Sequence, residues 1–230
     1  MKTFLPYELI LKTLHEQTSL KQDVYDTTLK NFMFFKATTK KLVSELKKDM
    51  GNIDKRLIIE YKDRGEFEYE IRIAGDLLIF SMHTNVFEFD KSHNIWRSSY
   101  VKQDNSLSYC GIINIYNFLH DSFKYNRYND LGYVIGRVFI NKEDHFFLEG
   151  KRQLGFLYND IVHSVIDEKA IRNILESTIL YCLNFDLYTP PFDSIKEVSV
   201  NAIQMATESM QIKTGKRLGF KFQADNDEID

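Results

Sequence analysis

Cysteine, proline and glycine are all scarce in this 230-residue chain, with 2, 3 and 10 copies. Cys110 and Cys182 each sit in an apolar stretch, with no second cysteine and no ligand-spaced histidine beside them. That excludes a zinc-ribbon pattern, and although the count allows one disulfide between them, it predicts two buried, reduced thiols. Two of the three prolines are adjacent, at 190 and 191, so little of the chain reads as linker. Charge of one sign is lacking too: 30 basic against 33 acidic side chains leave a formal charge of −3. So small a charge supplies no overall field to hold nucleic acid or an anionic membrane. No run approaches the ~18 apolar residues of a membrane span. The N-terminal stretch is interrupted by Glu8, Lys12 and Glu16, unlike a secretory leader. These absences together predict a cytoplasmic protein with neither membrane nor nucleic acid as partner.

What is present is a folding composition, 43% hydrophobic and 14% aromatic, enough apolar surface to offset the entropy of ordering. The first third has helical period. Leu9, Ile10, Leu11 and Leu14 mark a short amphipathic helix over 7–16, and Ser19 suits the cap of a second, longer one. Tyr25, Leu29, Phe32, Phe35, Leu42, Leu46 and Met50 form its apolar stripe, with Lys36, Lys40, Lys41, Lys47 and Lys48 on the opposite side. Gly51 follows as a helix stop.

The period then becomes two. Residues 57–62 and 66–73 read as a hairpin about Asp63-Arg64-Gly65. Phe67, Tyr69, Ile71 and Ile73 alternate with Glu66, Glu68, Glu70 and Arg72. Such alternation marks an antiparallel sheet with one packed and one wet face. Further strands are expected over 77–82, 86–89, 107–118, 132–140 and 145–149. Weaker pairing is expected at 95–100, and 154–158 stands ready to close the sheet. A loop is expected over 119–130. Asp167 resembles an N-cap for a helix with Ile171, Ile174, Leu175, Thr178 and Cys182 inward. A second C-terminal helix is expected over 194–211, ahead of an acidic tail at 223–230. The fold class is therefore α+β. A single domain spans 1–222, with a curved, mostly antiparallel sheet flanked by a long N-terminal helix and a C-terminal helix pair.

The sharpest chemical motif is Phe146-Phe147-Leu148-Glu149-Gly150-Lys151. An acid, one spacer and a lysine at the end of an apolar strand resemble the E-x-K half of restriction-endonuclease-like nucleases. The resemblance implies a metal-dependent nuclease or phosphodiesterase using Mg²⁺ or Mn²⁺. Glu149 and Lys151 would share one strand face, and Asp130 would supply the missing carboxylate. The plainer alternative for these residues is a solvated turn at 149–152.

Other chemistry finds less footing. The six histidines (15, 83, 93, 120, 145, 163) show no zinc-type spacing, although His83, His93 and His145 would converge if the hairpins met. There is no G-x-S-x-G elbow and no phosphate-binding loop around Gly132 and Gly136. Lysines on the long helix, and Lys213, Lys216, Arg217 and Lys221, form local basic groups without a recognised nucleic-acid module.

Aromatic residues concentrate instead. Tyr109, Tyr116, Tyr125, Tyr128 and Tyr133, among Asn114, Asn117, Asn126 and Asn129, suit a recognition surface, because tyrosine combines contact area with a hydrogen bond. The leading expectation is a non-catalytic binding or adaptor module without a cofactor, engaging a protein or small ligand through this surface. Packing of a sheet edge is the competing explanation of the same tyrosines. A homodimer through the long helix or a sheet edge is a further expectation.

Overall fold

The computed structural model describes residues 6–50, 54, 56–128, 130–151, 154–155, 158–184, 197, 199 and 200. Of the expected second C-terminal helix only residues 197, 199 and 200 are described, and the acidic tail and Gly51 lie outside the described residues.

The N-terminal half of the helical layer is one continuous rod rather than two helices. Helix α1 (Pro6–Thr13) passes through a π-helical turn (Leu14–Thr18) into α2 (Ser19–Met50). Ser19 does not cap a helix; its φ of −61° and ψ of −43° are helical, so the extra residue per turn absorbs the change of period. Helix α1 buries none of its residues, whereas Phe32, Phe35 and Leu42 of α2 are buried in the main core.

Seven antiparallel strands follow: β1 (Ile59–Asp63), β2 (Glu68–Ile73), β3 (Asp76–Met82), β4 (Phe87–Glu88), β5 (Tyr109–Leu119), β6 (Tyr133–Ile140) and β7 (Phe146–Gly150). Their order is β1-β2-β3-β5-β6-β7, with β4 paired to the start of β5, and the sheet is open. Helix α5 (Glu168–Leu183) closes the helical layer, capped by Asp167, whose carboxylate accepts from the Ala170 N–H at 2.6 Å. Its inward residues Ile171, Ile174, Leu175, Thr178 and Cys182 are those expected.

One sheet face packs on α2 and α5. Tyr69, Ile71, Leu78, Phe80, Ile113, Ile115, Val138, Ile140, Phe146 and Leu148 point into that core. Gly111 allows α2 to approach β5, since a Cβ there would lie 2.1 Å from Thr28 Oγ1. The opposite face carries a smaller core at one end, where Cys110, Ile112, Phe139 and Phe147 meet Ile95, Val101 and Leu107.

The segment that supplies those last three differs from expectation. Residues 95–100 do not pair as a strand. A 3₁₀ turn (Asn94–Arg97), α3 (Ser99–Gln103) and a second 3₁₀ turn (Asn105–Ser108) follow one another, each begun by a side-chain cap from His93, Ser98 or Asp104. Caps so closely spaced favour short helical turns over a strand. Within 119–130, expected as loop, α4 (His120–Lys124) forms one helical turn. Leu154 is helical rather than a strand residue. The outer edge of β7 is instead bonded by Tyr158 and Ser164, whose carbonyls accept from the Leu148 and Phe146 N–H groups at 2.6 and 2.9 Å.

Lys36 is the main correction on the helix. It is not on the wet side: its side chain is only 8% exposed. Its Nζ donates to Asp63 Oδ1 at 2.9 Å and also to the Gly65 carbonyl, which ties α2 to the β1–β2 turn.

Candidate functional site

The sheet face away from the helices is covered only in part, and register defines the open strip. Glu68, Ser81, Asn114, Arg137 and Glu149 are directly opposite one another across β2, β3, β5, β6 and β7. This polar row crosses the sheet from strand to strand. The next row is Glu70, Ile79, Tyr116 and Val134. On its other side the row Ile112, Phe139 and Phe147 lies under the smaller core.

The β2–β3 end of this strip is closed. Arg64 pairs with Glu68 and Glu70, and its guanidinium stands 5.2 Å from the Phe123 ring, which packs edge-on against Phe118. Leu77 and Ile79 are accordingly buried. Beyond that roof the strip opens over β5, β6 and β7, where Asn114 and Tyr116 are half-buried, and Val134, Arg137 and Glu149 are exposed.

A β-bulge shapes the floor. Ile115 pairs with Gly136 but Tyr116 pairs with Val134, so Ile135 is the extra residue, and it turns into the main core. Bulges re-aim neighbouring side chains. Here the result is a cavity of about 520 Å³ lined by Val134, Gly136, Arg137, Glu149, Gly150 and Lys151. Arg137 Nε donates to Glu149 Oε2 at 2.7 Å. Both side chains are about half exposed, so this pair contributes little to stability and can be exchanged for ligand contacts. Among the described residues, no hydrogen bond engages the side chains of Ser81, Asn114 or Tyr116.

The motif residues separate. Glu149 is held by Arg137, whereas Asp130 accepts from Ser122 Oγ at 2.5 Å and pairs with Arg127 at 3.0 Å. Asp130 precedes β6, and four strand intervals, about 13 Å, separate the start of that strand from Arg137. The backbone N–H of Lys151 donates to the Ile135 carbonyl at 3.1 Å. Among the described residues, no three His, Cys, Asp or Glu side chains gather as a metal-holding group. His83 and His93 accept backbone N–H bonds from Asn85 and Ile95, and the His145 ring nitrogen meets the Ile161 carbonyl at 2.8 Å. Both cysteines are buried thiols outside any disulfide, and burial pushes the Cys110 thiol up, away from its nucleophilic form.

The five tyrosines do not share one surface. Tyr116 alone of them lies on the open strip. Tyr133 packs against the main core on the helical side. Tyr109, bonded to Glu88 at 3.2 Å, is seven positions from Tyr116, about 23 Å along β5. Tyr125 ends α4 beneath the Lys124 ammonium, and Tyr128 is 88% exposed in the following loop. The companions of Tyr116 that sequence patterning missed are Arg137, Val134 and Ser81. The interruption of the Val134–Ile140 alternation by Gly136 was the available signal for the bulge.

Further cavities lie elsewhere among the described residues. One of about 390 Å³ between α2 and the start of α5 is lined by Phe34, Thr38, Ile166 and Ile171. Its ends carry the ion pairs Lys30–Asp144 and Lys41–Glu168. Another, of about 460 Å³, lies between His93, Phe147 and Asp160. Among the described residues, no helix is long and apolar enough to cross a membrane. No protein-family model, no curated protein and no solved structure matches the chain.

Proposed function

We propose that the chain is a non-catalytic binding module that takes a protein or small ligand on the open strip of its sheet. The observation that supports this most is the pair Asn114 and Tyr116. Both present hydrogen-bonding groups on a sheet face, beside the exposed apolar Val134, with no protein partner among the described residues. A donor–acceptor amide, a phenol and an aliphatic side chain side by side suit a partner with mixed polar and apolar surface. The Arg137–Glu149 pair next to them supplies charges of both signs at the rim. The separate anchoring of Asp130 and Glu149 favours recognition over metal-assisted hydrolysis.

The test is capture by tagged wild-type protein, by Asn114→Ala/Tyr116→Ala and by the control Tyr128→Ala. A species retained by wild type and control, and lost at least tenfold by the folded double variant, is the expected result; truncated interface anchors commonly cost that much. Equal retention by all three would show that the strip is ordinary surface.

A further inference from the structure

The two ends of the strand order are treated differently. The outer edge of β7 is bonded by residues 158–165, whereas β1 has no strand or loop bonded along its outer side among the described residues. The parity of the ladder says which groups point outward. The Ala74 N–H donates to the Ile58 carbonyl at 2.8 Å and the Arg64 N–H to the Glu68 carbonyl at 3.1 Å. Residues 58, 60, 62 and 64 therefore direct their backbone groups toward β2, and Ile59, Tyr61 and Asp63 direct theirs to the open edge.

We propose that β1 is a self-association edge: it pairs antiparallel with β1 of a second copy, centred on Tyr61, to give a two-fold dimer with a continuous sheet. Only residues with outward backbone groups can exchange hydrogen bonds, so the usable registers place 59, 61 or 63 opposite one another. Centring between 59 and 61 sets Glu60 against Glu60 of the second copy. Centring between 61 and 63 sets Lys62 against Lys62. Like charges directly opposite destabilise a strand pair. Centring on Tyr61 sets each Glu60 against a Lys62 on the same sheet face, twice by symmetry, and pairs Tyr61 with itself. This register is also the longest, with Ile59 opposite Asp63 at both ends and about six inter-strand hydrogen bonds. Glu60 and Lys62 are exposed on the strand. Their intrachain partners Arg72 and Glu70 stand at the 4.0 Å limit of an ion pair, leaving both charges available. Edge strands ordinarily carry charge to repel further pairing. Here the alternation of sign makes the charge self-complementary in one register. A five-residue ladder is small beside stable interfaces of about 1,200–2,000 Å², so the dimer is concentration-dependent.

The test is sedimentation velocity on the full chain, over a concentration series, for wild type, Glu60→Lys, Lys62→Glu, and an equimolar mixture of the two variants. The expected result is a wild-type monomer–dimer equilibrium that either single substitution weakens about tenfold or more, since each turns two attractive pairs into repulsive ones. The mixture regains the dimer, because the edge of one variant then carries lysine at both positions and faces an edge that carries glutamate at both. Recovery in the mixture also shows that neither variant has lost its fold. A monomeric wild type, or a dimer indifferent to Glu60→Lys, would overturn the proposal.

Discussion

Lys36 Nζ lies 2.9 Å from Asp63 Oδ1, with the ammonium nearly enclosed and the carboxylate almost half exposed. The exposure is asymmetric, and so is the expected response. Asp63→Ala strands a buried cation with the Gly65 carbonyl, and breaking such a pair from this side costs about 2–4 kcal/mol. Lys36→Met keeps the packing against Phe32, leaves Asp63 to water, and costs about 1 kcal/mol or less. Urea midpoints of both variants at neutral pH check the order. A larger loss for Lys36→Met would contradict it.

Gly111 and Thr28 fix how closely α2 sits on β5. A Cβ at 111 would lie 2.1 Å from Thr28 Oγ1 and 2.7 Å from Thr28 Cβ, and Thr28 is fully buried with its hydroxyl bonded to the Val24 carbonyl. Gly111→Ala is expected to destabilise by about 1–3 kcal/mol through overpacking. Chemical denaturation measures it, and a neutral result would mean that the helix yields easily.

Ala74, in the β2–β3 turn, has a φ of +51°, a left-handed conformation that a side chain disfavours. Ala74→Gly is therefore expected to stabilise the protein by about 0.5–1 kcal/mol despite the added freedom of the unfolded chain. The thermal midpoint should rise.

Asp104 links the capping segment to the β6–β7 turn. Its carboxylate accepts from Ser106 Oγ at 2.6 Å and Lys142 Nζ at 2.9 Å. The Ser106 hydroxyl first, then Lys142, lowers its pKa from 3.8 to about 2. A lowered folded-state pKa means that the unfolded chain binds the proton more readily. The stabilisation is thus complete above about pH 4 and lost as pH falls toward 2. Asp104→Asn should lower stability at neutral pH and flatten its decline between about pH 4 and 2. Denaturation midpoints across that interval check the sign.

Much of the fold was legible because each face of an element sees one environment. Tyr69, Ile71 and Ile73 against Glu68, Glu70 and Arg72 foretold the two faces of β2, and Asp167 foretold the start of α5. Lys36 was not legible, since its partner is 27 residues away and a lysine beside an apolar stripe ordinarily faces water. The short turns over 94–108 were obscured by their length. The tyrosine cluster shows the limit for the site. Successive residues of a strand face opposite ways, so Tyr116 and Tyr133 separate as soon as Asn117, not Tyr116, pairs with Tyr133. The open strip depends on that register and on the bulge at Ile135; Gly136 marked an irregularity in the strand, but which side chains it brings beside Tyr116 depends on pairing with β5.

Recognition through the strip is tested most directly by photo-crosslinking from position 134, with position 165 as control. Val134 and Val165 are equally exposed, at 50% and 51%, but only Val134 lies on the strip. A benzophenone side chain at 134 is expected to yield a discrete adduct with a bound partner in cell extract, absent from 165 and abolished by Asn114→Ala/Tyr116→Ala. The same adducts from both positions, or none from 134, would contradict a binding role for this face.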